Sequence, residues 1–167
     1  MKPLAASWAL DRPLELVANT AFTRTGGMDP TGFVRDGRVW RASRHGSGPA
    51  ALCMWIAGTS LRAEAWGAGA EDALLGVPAL SGLSDDASGF EPWRHPVVHE
   101  ASRRRPGLAL VRTNAVFDAA VRAVLAQKVT GLQAKRSFQA LARRCGERAP
   151  LPVVERRPLL LPPTPEQ

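Results

Sequence analysis

The stretch from Thr113 to Gly146, TNAVFDAAVRAVLAQKVTGLQAKRSFQALARRCG, carries the strongest start and stop signals in the chain. They predict two helices joined by a tight turn at Gln127-Lys128-Val129. Thr130 and Gln133 have the spacing of a capping box, in which each side chain accepts from the backbone N–H of the other at a helix start. Gly146, directly after Arg143, Arg144 and Cys145, reads as the residue that ends the second helix in a left-handed conformation. Phe117, Val121, Val124 and Leu125 recur at helical spacing, as do Ala134, Phe138, Leu141 and Cys145, and both stripes predict core packing. Asp118 and Arg122 are placed for an i,i+4 ion pair. Lys135, Arg136, Arg143 and Arg144 fall on the outer face, where they can meet either water or phosphate.

With 167 residues, 45% hydrophobic and 22% charged, the chain has the composition of an ordinary folded protein. No window approaches the roughly 20 apolar residues of a membrane span, so a cytoplasmic protein without a membrane partner is expected. Cys53 and Cys145 lie in unrelated segments, which suggests neither a disulfide framework nor a zinc ribbon. His95 and His99 are four apart, but Pro96 between them places His95 at or before a helix start. No metal and no cofactor are expected.

The net charge of +7 is unevenly spread. Residues 1–93 carry 8 Lys/Arg against 10 Asp/Glu, whereas residues 94–167 carry 14 against 5. A basic second half fits a polyanionic partner, although a solvated basic face gives the same count.

Upstream, Leu4 to Leu10 predicts a strand and Asp11 to Ala21 has helical spacing. Gly26 to Gly32 is a turn-rich loop. Asp36-Gly37 is a hairpin signal ahead of a strand holding Val39, Trp40 and Ala42. Ala51 to Ala57 and Ser60 to Trp66 predict two more strands around Gly58-Thr59, and Ala70 to Leu75 a short helix before Pro78. GLSDDASGFEP, residues 82–92, reads as a linker, and Pro96 then opens a helix that stops at Pro106-Gly107. The expected class is α+β, with an amino-terminal α+β domain over 1–82, a linker over 83–94 and a partial helical domain over 95–167.

The run Phe117 to Thr130, ending AVLAQKVT, followed by Ala134 and a helix ending in RRCGE, resembles the helical pair of the alkylbase DNA glycosylases of the helix-hairpin-helix superfamily. WGAGAE from Trp66, GVPAL from Gly76, Asp85-Asp86, Gly89-Phe90, His95-Pro96 and Pro106-Gly107-Leu108 are similar in order and spacing to bacterial 3-methyladenine glycosylases. The resemblance implies an amino-terminal antiparallel sheet with a helix, likened to the TATA-binding protein, followed by part of an all-helical glycosylase domain. It further implies base-excision repair: removal of alkylated bases such as 3-methyladenine by base flipping and N-glycosidic hydrolysis. The partner implied is double-stranded DNA with a damaged base, met by a monomer.

By position, the resemblance puts Lys128 where the family wedges a residue into the vacated stack, with Gln127 and Thr130 shaping the turn and Lys135 and Arg136 on the DNA side. The residues alone also permit Gln127 and Thr130 to be helix caps and Lys128 merely exposed. The family's Gly-rich hairpin and catalytic aspartate have no counterpart here, so no catalytic residue is assigned and an inactive fragment is expected. Thr164-Pro165-Glu166-Gln167 reads as the opening of a further helix, hence a carboxy-terminal truncation, with Pro150 to Pro163 an unanchored connector. The alternative function is a non-enzymatic DNA-binding protein using the 115–146 helical pair as a helix-turn-helix.

Overall fold

The computed structural model describes residues 2–151 and 158–166. Five strands form one antiparallel sheet: β1 (Leu4–Ala9), β2 (Gly32–Arg35), β3 (Arg38–His45), β4 (Gly48–Ala57) and β5 (Ser60–Trp66), in the order β1-β5-β4-β3-β2. The β2–β3 hairpin turns at Asp36 and Gly37, both at positive φ (50° and 72°), as a two-residue turn that follows the sheet's twist requires. β4 and β5 pair from Ala57↔Ser60 to Ala51↔Trp66 around Gly58-Thr59.

Alternation along the strands builds two cores. Ala50, Leu52 and Met54 of β4 share one face with Leu61, Ala63 and Ala65 of β5 and pack against α2 (Ala70–Leu75) and α3 (Val77–Ser81) through Ala70, Ala73, Val77 and Leu80. Ala51 and Cys53 point the other way, into a layer with Ala42, Trp66, Leu159 and Leu161. There Trp40 stacks between Phe33 and Trp66, with ring centroids 6.0 and 5.9 Å away.

The second layer corrects one expectation. The Pro150 to Pro163 connector is anchored at both described ends. Leu159 and Leu161 are buried, Ala149 N–H donates to Leu159 O, Leu161 N–H donates to Glu147 O, and Arg44 Nε donates to Pro162 O at 3.0 Å. Two leucines cover a face of tryptophan and alanine that would otherwise meet water, and that burial opposes the cost of ordering a proline-rich segment. Gln167, and with it the end of the supposed helix start at Thr164, lies outside the described residues.

The expected helix over Asp11 to Ala21 shrinks to one turn, α1 (Leu16–Asn19), followed by a 3-10 turn over Thr20–Thr23. Pro13 supplies no N–H, and Glu15 N–H donates to Gly107 O instead of entering a helix. Asn19 is buried and pins three segments: its amide donates to Ser81 O and Gly107 O, and its Oδ1 accepts from Ala109 N–H. The residues after α3 are held in the same way, since Arg12 Nη2 donates to Asp85 O at 2.7 Å and Asp85 Oδ2 accepts from Leu110 N–H.

Three longer helices follow: α4 (Pro96–Arg104), α5 (Val116–Leu125) and α6 (Gly131–Cys145). Gly146 ends α6 in extended backbone (φ −78°, ψ 149°), not in the left-handed form expected. Its lack of a side chain serves close approach, because a Cβ there would stand 2.2 Å from Ala142 O and 2.7 Å from Leu161 O. The chain therefore leaves α6 pressed against the segment that covers the sheet.

Candidate nucleic-acid interface

α5 is carried by a buried ionic cluster. Arg122 donates from Nε to both carboxylate oxygens of Asp118 at 3.2 Å, from Nη1 to Asp29 Oδ2 at 2.9 Å and from Nη2 to Thr31 Oγ1 at 2.9 Å. Its guanidinium also lies 3.7 Å from the centroid of the buried Phe138 ring of α6. Arg41 of β3, itself buried, places Nη2 3.7 Å from Asp118 Oδ2 and donates to Thr23 O. One guanidinium thus joins the 25–31 loop, α5 and α6, and a second ties them to the sheet.

Asp29 is fully buried, which alone would raise its pKa. Arg122 and the backbone N–H groups of Thr25 and Thr31 reverse this and hold it below its ordinary value. The Thr25 and Thr31 hydroxyls donate to it as well, at 2.9 and 2.8 Å. Burial lowers the pKa of Arg41, with the charge of Asp118 opposing the shift. The expected Asp118–Arg122 pair is therefore present, as two members of a larger group that also takes in Asp29 and Arg41.

The turn itself is tightly specified. Ala126 N–H donates to Arg122 O and Gln127 N–H to Val124 O, closing α5. Lys128 then adopts φ 55°, a left-handed backbone uncommon for a residue with a Cβ. Thr130 caps α6: its Oγ1 accepts from Gln133 N–H at 3.3 Å, and Gln133 Oε1 accepts from Thr130 N–H at 2.9 Å. Gln127, Lys128 and Thr130 are exposed at the turn, and Lys135 and Arg136 are exposed on α6. Lys135 reaches the 24–29 loop, where its Nζ lies 3.7 Å from the position a Cβ on Gly26 would take.

The two stripes behave differently. Of the α6 stripe Phe138 is buried and Ala134, Leu141 and Cys145 are half-buried, whereas on α5 Val121 and Leu125 are half-buried, Phe117 is 45% exposed and Val124 is 64% exposed. Core packing of the α5 stripe is thus incomplete, because the ionic cluster holds the helix by the neighbouring Asp118–Arg122 side, about a quarter turn away. Val116, Val129 and Leu132, at the start of α5, in the turn and at the start of α6, are exposed as well.

A second polar site lies under α2. A cavity of about 80 Å³ is lined by Arg41, Ser43, His45, Asp72 and Asn114 among others. Ser43 Oγ and His45 Nε2 are 2.8 Å apart. Burial lowers the His45 pKa, against the pull of Asp72. His95 is the cap residue of α4, and no group of three or more His, Cys, Asp or Glu among the described residues could hold a metal.

No family model matches the chain, and no curated protein matches it. Solved structures do. A 3-methyladenine DNA glycosylase from Archaeoglobus fulgidus superimposes with a TM-score of 0.78 at 14% identity, over 96% of this chain and 57% of that one. The fold is one that DNA glycosylases use. MBOgg1 in complex with a low-affinity DNA ligand superimposes with a TM-score of 0.68 at 15% identity, over 99% of this chain and 56% of that one. The chain thus spans little more than half the length of these two glycosylase structures.

Proposed function

We propose that this chain is the DNA-facing part of a base-excision-repair glycosylase, acting on double-stranded DNA that carries an alkylated base such as 3-methyladenine. The observation that carries the reading is the α5–α6 turn. It is an exposed, left-handed Lys128 on a hairpin held to the 25–31 loop by Arg122 and to the sheet by Arg41, in a fold that glycosylases use.

A base inside a duplex must be flipped out before its glycosidic bond can be reached, at a cost of a few kcal/mol. A rigid protrusion can occupy the gap, while cations on either side hold the phosphates. Lys128 fills the first role, with its alkyl stem against the bases and its ammonium toward the backbone. Lys135 and Arg136 fill the second, and Gln127 and Thr130 keep the turn in shape. Among the described residues, Lys128, Lys135 and Arg136 form no ion pair that would have to be broken first.

Excision itself is assigned to none of these residues. Asp29 and Asp118 are bound into the buried cluster, Glu147 pairs with Arg44 and Asp72 accepts from Ser47. A carboxylate so occupied is poorly placed to stabilise a sugar cation or activate water. The chain on its own is accordingly expected to bind DNA without releasing base.

Titrating a duplex containing an abasic-site analogue against the protein, over a series of salt concentrations, tests this reading. Binding should weaken steeply as salt rises and should exceed binding to intact duplex. Salt-independent binding, or none, would sink the proposal, and robust release of 3-methyladenine from alkylated DNA would overturn the claim of inactivity.

A further inference from the structure

Lys135 stands on α6, but its ammonium lies over Gly26, in a loop that belongs to the sheet half of the molecule. That loop is thin and firmly held. Gly26 has φ 96°, Gly27 is exposed with nothing within 4 Å of where a Cβ would stand, and Met28 is 60% exposed. Beneath it, Asp29 accepts from the N–H and hydroxyl of both Thr25 and Thr31 and from Arg122. The loop is thus fixed by the same guanidinium that fixes the turn. Among the described residues no carboxylate pairs with Lys135, and the loop's own acid, Asp29, is turned inward and fully buried.

A positive charge above two consecutive glycines is an arrangement that lets a sugar–phosphate backbone approach closely. We propose that the 24–29 loop and Lys135 form one phosphate-contacting surface that continues the DNA interface from the α5–α6 turn onto the sheet half. The ligand is a DNA phosphodiester flanking the one at the turn. This inference rests on the DNA-binding reading above and extends it to a segment which that reading leaves unused.

Position 27 provides a test, because a side chain there is accommodated without strain or clash. Gly27→Asp should weaken duplex binding by about tenfold at low salt, and Gly27→Lys should tighten it while steepening the salt dependence by about one released ion. Gly46, in the β3–β4 turn and equally open, supplies a charge-matched control: Gly46→Asp should leave affinity within about twofold. Lys128→Ala reports the turn independently, and thermal melting of each variant confirms folding.

If Lys128→Ala weakens binding while Gly27→Asp does not, the loop is no part of the interface and the turn assignment stands. If Gly46→Asp weakens binding as much as Gly27→Asp, the effect is one of net charge and the proposal falls. Wild-type binding without salt dependence overturns this proposal together with the functional reading it rests on.

Discussion

Arg122 and Asp29 stand 93 positions apart in the sequence and meet at 2.9 Å in the interior, where Asp29 is fully buried. Replacing Arg122 by methionine would keep an apolar contact with Phe138 but take the guanidinium away from the buried Asp29 and leave Asp118 with Arg41. Loss of one member of a buried pair typically costs about 3–5 kcal/mol. Chemical denaturation of Arg122→Met should show a loss of that size, and an Arg122→Met/Asp29→Asn double variant should recover part of it. A loss under about 1 kcal/mol would mean that the cluster is wetter than its geometry implies.

The depressed pKa of Asp29 has a pH signature. Because the folded state holds the carboxylate more tightly than the unfolded one does, its contribution is complete above the ordinary value of 3.8. It disappears as pH falls through the lower folded value. His45 behaves similarly at higher pH. Its folded pKa lies below 6.5, so the stability of the neutral, half-buried ring is fully present above 6.5 and declines as pH drops beneath it. Stability should therefore fall as pH drops below 6.5, and His45→Gln should flatten that part of the profile.

Lys128 is a site where stability and binding should separate. Its left-handed backbone costs a residue with a Cβ about 1 kcal/mol or more, and glycine removes that cost. Lys128→Gly is expected to raise the urea midpoint slightly while weakening duplex binding. A variant that loses stability instead would show that the side chain, not the backbone, holds the turn.

Leu161 is 1% exposed and closes the outer face of the sheet. Leu161→Ala should cost about 2–5 kcal/mol and change the fluorescence of the stacked tryptophans. If both stay unchanged, the segment is not bound to the sheet in solution.

The helix ends and strands were legible because their signals are local. The capping box at Thr130 and Gln133, the Asp36-Gly37 turn and Pro96 at a helix start each act within a few residues. What escaped is what depends on distant partners. Arg122 looks like half of an i,i+4 pair until the fold brings Asp29 to its other edge. Asn19 looks like an ordinary helix residue until it meets Ser81, Gly107 and Ala109. Leu159 and Leu161 sit among prolines, where periodicity carries no information. Gly146 reads as a stop for a conformational reason, yet the constraint on it is steric and set by the carbonyls of Ala142 and Leu161.

The return of residues 159–161 to the sheet also fixes an order of events. Arg44 waits for Pro162, 118 residues later, so the tryptophan face must stay uncovered throughout synthesis of α4, α5 and α6. A nascent chain would carry a sticky aromatic surface for most of its emergence, and its solubility in the cell should depend on how quickly that strap arrives.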